Sequence, residues 1–214
     1  MGEKRLKRAW TPRDILNKEY QLLEWAGAWV DAFARPEAKG LWFIWGESGA
    51  GKGSFILILL IELSRYFKVI VNDLEEGDAH TVRKAFERYG VSKVKTGRLF
   101  WVDEDMETFS YRMSKHKSPH VMVINSFQYT RMSFNKFYEF KKKHKNKLII
   151  VISQAEGKHP MGLAAKRVKY DAALKIFIEG FLAVSKGRYI GKKGTFPIWD
   201  EGMKDYHGTE KKND

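Results

Sequence analysis

Short continuous apolar runs alternate along this chain with longer segments in which apolar residues recur every three or four positions. The runs lie within residues 41–45, 68–73, 99–102, 121–125 and 148–153, and these segments end at, or are followed by, Gly46, Asp73, Asp103, Asn125 and Gln154. Apolar runs of this length read as strands buried on both faces, and the periodic segments between them as helices. The helices are expected from the glycines after residue 45 to about 65, from 79 to 89 with Gly90 as the stop, near 107–115, and after 126–129 to about 143. Ahead of the first run, Thr11 suits an N-cap, Pro12 the first helical position and Asp14 the first turn. Leu16, Tyr20, Leu23, Ala26, Trp29 or Val30, and Phe33 then follow at helical spacing, which predicts one helix over 11–35. After residue 154 the pattern changes. Residues 155–169 are polar, with Gly157, Pro160 and Gly162, and read as a long loop. Residues 174–178, 181–190 and 196–199 read as antiparallel strands joined by glycine-containing turns. Strands alternating with helices imply an α/β fold with a mostly parallel central sheet, here extended by C-terminal antiparallel strands. The expected organisation is a basic arm over 1–10, one domain over 11–203 with its core at 40–200, and a frayed tail over 204–214.

The strand at 41–45 runs directly into Gly46, Glu47, Ser48, Gly49, Ala50, Gly51, Lys52, Gly53 and Ser54, and an apolar helix follows over 55–61. This is the strand, glycine loop and helix context of a phosphate-binding loop. Glycines let backbone N–H groups converge on a phosphate, the helix adds its positive end, and Lys52 adds a full charge. The spacing Gly46-x4-Gly51-Lys52 is the Walker A pattern with one departure. The hydroxyl expected after the lysine is replaced by Gly53, and a serine comes one position later as Ser54.

Composition is ordinary for a globular domain at 43% hydrophobic and 30% charged residues, but the net charge of +13 is not. A basic excess of that size points to a polyanionic partner, most commonly nucleic acid. The chain has no cysteine, which excludes disulfides and thiolate metal sites, and its six histidines show no metal-ligand spacing. His144 lies within the lysine-rich run 141–147, at a helix C-terminus, and reads as part of a solvated face. The basic start lacks an apolar segment after it, and the longest apolar run, 55–61, is too short to span a bilayer. The expectation is a soluble, cytoplasmic protein with no membrane partner. In parallel sheets ligands bind beyond the carboxyl ends of the strands, where this chain carries Gly46, Glu75, Asp103, Asn125 and Gln154.

The order of these features resembles the RecA-like P-loop ATPases, in particular their RadA and DnaB-type helicase branch, over roughly residues 40–200. The resemblance implies ATP and Mg²⁺ as cofactors, with the loop 46–54 holding the phosphates and Lys52 gripping them. It makes Glu75 the residue that polarises the attacking water, with Glu76 one register step away. It makes 121–125 the Walker B strand, Gln154 the γ-phosphate sensor, and Lys186 and Arg188 the Lys-x-Arg element that reaches a neighbouring subunit's nucleotide. Walker B should end in Asp, yet this chain has Asn125, so Ser54 and Asn125 are the expected metal contacts through water, with Asp73 or Asp103 as candidate substitutes. Asp103 with Glu104 also resembles the Walker B of AAA+ proteins such as helicase loaders, although those end in a helical lid where 173–199 here read as strands. DNA contacts in the resembled family come from loops that map to about 126–133, with Phe127, Tyr129 and Arg131, and to 155–170, with Lys158, His159, Lys166, Arg167, Lys169 and Tyr170. The function implied is an oligomeric ATPase that binds DNA, with single-stranded DNA the expected form, acts in recombination or replication, and hydrolyses ATP at subunit interfaces. The alternative is an ATP-binding DNA scaffold, or an AAA+ loader-like module, that hydrolyses poorly.

Overall fold

The computed structural model describes residues 7–208. Most of the basic arm and the end of the expected tail lie outside the described residues. The parallel strands are β1 (Gly40–Gly46), β2 (Val69–Asp73), β3 (Leu99–Val102), β4 (Val121–Asn125), β5 (Leu148–Glu156) and β7 (Leu174–Glu179). The two-residue β6 (His159–Pro160) folds back on the end of β5, and β8 (Leu182–Ser185) and β9 (Thr195–Pro197) add to β7 antiparallel. The spatial order is β3-β2-β4-β5-β1-β7-β8-β9, so β1 is central and carries a parallel neighbour on each side. The helices are α1 (Pro12–Leu16), α2 (Ala28–Phe33), α3 (Lys52–Tyr66), α4 (His80–Tyr89), α5 (Met106–Met113), α6 (Phe134–Lys143), α7 (Leu163–Asp171) and α8 (Asp200–His207).

Alternation along the strands sorts the core into two layers. Trp42, Ile44, Val69, Val71, Val121, Val123, Ile150 and Ile152 face the layer that holds Phe55, Leu59, Leu60 and Leu63 of α3. Leu41, Phe43, Ile70, Met122, Ile124, Ile149 and Val151 face the other layer, with Phe109 of α5, Phe137 and Phe140 of α6, and Val168 of α7. Burial on both sides explains why these strands are continuously apolar.

Four sequence expectations are corrected. The helix expected over 11–35 is two short helices separated by an extended stretch. Within that stretch Leu23 and Trp25 are buried while Glu24 is exposed, a period of two rather than 3.6. The Leu23 N–H donates to the Pro36 carbonyl at 2.9 Å, and Gly27, at φ 59°, turns the chain into α2. Residues 155–169 are not one loop: β6 forms a hairpin with β5, and α7 buries Ala165 and Val168 on one side. That helix escaped notice because its apolar face is narrow and its exposed face carries Arg167 and Tyr170. The strand expected over 181–190 ends at Ser185, although the Lys186 and Arg188 amides still donate to the Lys175 and Ala173 carbonyls at 2.7 and 2.9 Å. Residues 204–207 of the expected tail belong to α8, whose Tyr206 packs onto Gly180. Among the described residues no helix is long and apolar enough to cross a membrane.

Candidate functional site

β1 delivers the glycine loop to the carboxyl edge at the middle of the sheet. Gly46 is paired with Gln154 of β5 and Ile178 of β7, and a Cβ there would sit 2.5 Å from the Ile178 carbonyl oxygen. Only glycine lets the strand leave the sheet this close to β7. Gly51 has φ 95° and caps α3, a helix of 15 residues whose first member is Lys52. Two contacts pin the loop: the Phe181 amide donates to the Ala50 carbonyl at 3.0 Å, and the Gly157 amide donates to Glu47 Oε1 at 2.9 Å. The free N–H groups at the start of α3 make this a place for anionic oxygens.

A cleft of about 430 Å³ opens beside the loop, a size suited to a small-molecule ligand. Ser48, Gly49, Gly51, Lys52, Gly53 and Ser54 form one side of it, and Asp73, Glu75, Glu76 and Asn125 its floor. Phe86, Arg88 and Tyr89 of α4, together with Trp101 of β3 and Phe181, complete the wall. Sequence reading missed these wall residues, because which helix flanks the loop depends on strand order. Burial pulls the Lys52 ammonium below the usual lysine pKa, and the negative charge of Glu75 opposes that shift.

Asp73 and Asn125 are register partners at the ends of adjacent parallel strands. Asn125 Nδ2 donates to Asp73 Oδ1 at 2.8 Å, and the amides of Glu75 and Glu76 each approach the same oxygen at 3.3 Å. Asp73 is 2% exposed, and burial raises its carboxyl pKa against the lowering effect of those three donors. The two glutamates diverge. Gln154 Nε2 donates to Glu75 Oε1 at 3.1 Å, whereas the Thr81 hydroxyl donates to Glu76. Gln154 is itself positioned by Gln128, whose Oε1 accepts from the Gln154 amide at 3.2 Å and whose Nε2 donates to Ser153 Oγ at 2.8 Å.

The AAA+ alternative finds no geometric support. Asp103 follows β3 at the sheet's edge, with β2, β4 and β5 between it and β1, and is not among the residues lining the cleft. Its neighbour Glu104 pairs with Arg112, and the segment 173–199 holds the strands β7, β8 and β9 in place of helices.

The remaining sequence candidates lie elsewhere. Lys186 and Arg188 run beside the start of β7, opposite Lys175 and Ala173, away from the end where Ile178 meets Gly46. Lys158, Lys169 and Lys186 line a second pocket of about 370 Å³ with Trp45, Tyr170 and Lys175. Lys169 Nζ stands 4.9 Å from the centroid of the Trp45 ring, and burial and neighbouring cations depress its pKa. Lys175 was missed, since in sequence it looks like one polar residue within a strand. Lys166 and Arg167 lie on α7 outside this pocket, and Arg131, at φ 52°, borders a separate groove with Lys136 and Lys143. The lysine-rich run is less solvated than expected: Lys141 pairs with Asp171, and Lys147 donates to Ser118 Oγ and the Pro119 carbonyl at 2.9 and 2.8 Å. His144 is corrected outright. It is 4% exposed, lies 2.9 Å from Ser110 Oγ, and has its pKa lowered to about 4, first by burial and then by Lys143 and Lys147. No cluster of three potential metal-ligating side chains occurs among the described residues.

No protein-family model matches the chain, and no curated protein matches it. Among solved structures it is similar to the flagellar accessory protein FlaH of Methanocaldococcus jannaschii, with a TM-score of 0.59 and 14% identity over 84% of this chain and 92% of that one. It is also similar to a KaiC-like protein of Pyrococcus horikoshii, with a TM-score of 0.55 and 16% identity over 75% of this chain and 89% of that one. At such identities the likeness establishes the fold, a RecA-like P-loop α/β fold with a mostly parallel sheet and antiparallel C-terminal strands.

Proposed function

We propose that this protein is an ATPase of the RadA and DnaB-type branch that binds Mg²⁺-ATP at the 46–54 loop and works as a homo-oligomer on single-stranded DNA, in recombination or replication. The observation that carries the catalytic part is the 3.1 Å contact between Glu75 and Gln154, residues 79 apart in sequence that meet in front of the phosphate loop. The α3 N-terminus and Lys52 hold the β- and γ-phosphates. Glu75 orients a water and takes its proton as the water oxygen attacks the γ-phosphorus, while the bond to the β-phosphate oxygen breaks. Gln154, tied to Glu75 on one side and to Gln128 on the other, passes the state of the γ-phosphate to the β5–β6 hairpin and α7. Mg²⁺, when bound, would neutralise part of the phosphate charge.

The oligomeric part follows from reach. Arg188 sits level with Ala173, five residues from the level of Ile178 and Gly46, which is about 16 Å at strand rise. So placed, Arg188 is too far from its own phosphate loop, which supports reading it as the residue that reaches a neighbour's site. The DNA part rests on the net charge of +13 and on the pocket that groups Lys158, Lys169, Lys175 and Lys186 around Trp45 and the exposed Tyr170. Cations on phosphates and rings under bases suit a single strand. In this reading Lys166 and Arg167 on α7, and Arg131 at its separate groove, are further phosphate contacts outside that pocket.

A second reading, a slowly hydrolysing ATP-dependent DNA scaffold, is favoured by Asn125 and Gly53. ATP turnover measured with and without single-stranded DNA separates the two. The motor reading expects DNA to stimulate the wild type, and Glu75→Gln to lose about 100-fold or more of turnover while still binding ATP. Wild-type turnover as slow as that of Glu75→Gln, with or without DNA, would establish the scaffold instead.

A further inference from the structure

The residue ending the β4 strand is Asn125, where the resembled ATPases place a metal-site aspartate, and Gly53 has displaced the loop hydroxyl. The carboxylate is present one strand away. Residues 69, 71 and 73 of β2 and 121, 123 and 125 of β4 face the same layer, so Asp73 and Asn125 both open toward the start of α3. Asp73 is 2% exposed, and its Oδ1 takes the Asn125 amide and two backbone N–H groups. Its Oδ2 receives no hydrogen bond among the described residues, and Asp73 forms no ion pair with Lys52 although both line the cleft. A carboxylate that lines the cleft, with one oxygen held by three donors and the other accepting none among the described residues, suits Mg²⁺. This ion takes one or two carboxylates, waters and phosphate oxygens instead of an all-protein cage. The donor set therefore fits.

We propose that Asp73 supplies the metal-site carboxylate for bound Mg²⁺-ATP, with Asn125 recruited as the hydrogen-bond donor that orients it. The inference rests on the ATP-binding reading above. It also explains the amide at position 125. An aspartate there would place two carboxylates within hydrogen-bonding distance, and each would disfavour the other's ionisation.

The test is the affinity for N-methylanthraniloyl-ATP, measured in Mg²⁺ and in EDTA by fluorescence. The wild type is expected to bind about tenfold or more tighter with Mg²⁺. Asp73→Asn is expected to lose that enhancement and keep its EDTA affinity, since an asparagine retains the shape and can still accept from Asn125. The exchange variant Asp73→Asn with Asn125→Asp is expected to regain it, and Asp103→Asn to behave as wild type. Enhancement that survives in Asp73→Asn, or that is absent from the wild type, overturns the metal assignment while leaving ATP binding intact. A wild type that binds no nucleotide in either medium overturns the ATP-binding reading and this inference with it.

Discussion

Gly51 and Gly53 flank the same lysine and meet opposite constraints. Gly51 has φ 95°, and a Cβ there would lie 2.8 Å from Phe181 Cδ1, so alanine must strain both the turn and the Phe181 contact. Gly53 is helical, exposed and has nothing within 4 Å of an added Cβ. Gly51→Ala should therefore cost about 1–3 kcal/mol and weaken nucleotide binding. Gly53→Ser should stay within about 0.5 kcal/mol of wild type while restoring a hydroxyl beside Lys52. Thermal denaturation with and without Mg²⁺-ATP reads both effects. The glycine spacing of the loop was legible in sequence because backbone curvature admits few other residues there. The partnership of Asp73 with Asn125 was not. It depends on β2 lying next to β4 and not next to β1, and chain order does not state which strands are neighbours.

At the scale of elements, the strands and the helices between residues 40 and 154 were legible because a buried strand must be apolar throughout and an amphipathic helix must repeat. The failures share one cause: a weak local pattern was overruled by packing. Trp25 is fully buried and stacks on Trp29 at 5.3 Å, so the segment before α2 follows the needs of this aromatic cluster and not the helical spacing of its apolar residues. His144 is the same case at the end of α6. The run around it is cationic, yet its ring packs on Phe140 at 4.8 Å and meets Ser110 from α5, with Lys143 and Lys147 as the charged groups beside it. Its pKa, about 4 in the folded state, lies below the ordinary histidine value of 6.5. The unfolded chain then binds the extra proton first, so the neutral ring favours folding above pH 6.5 and that contribution is lost progressively as pH falls toward 4. Denaturant unfolding at pH 7 and pH 4.5 should show this as a loss on the order of 1–3 kcal/mol in wild type beyond that seen in His144→Asn. Equal losses in both proteins would place the acid sensitivity elsewhere.

Over the whole molecule, one fold serves two surfaces. The carboxyl edge of the sheet gathers Lys52, Asp73, Glu75, Asn125 and Gln154, while the β7–β8 side gathers Lys158, Lys169, Lys175 and Lys186, with Arg188 beyond the reach of its own phosphate loop. A head-to-tail contact that sets Arg188 of one copy against the cleft of the next would close into a ring or extend as a filament. ATP turnover by an equimolar mixture of Lys52→Ala and Arg188→Ala is the most direct check on this account. Each variant alone should be inactive. The mixture should recover about a quarter of wild-type turnover, because random assembly joins an intact loop to an intact arginine at one interface in four. A mixture as inactive as its parents, or an Arg188→Ala protein with full turnover alone, would contradict an ATPase built between subunits.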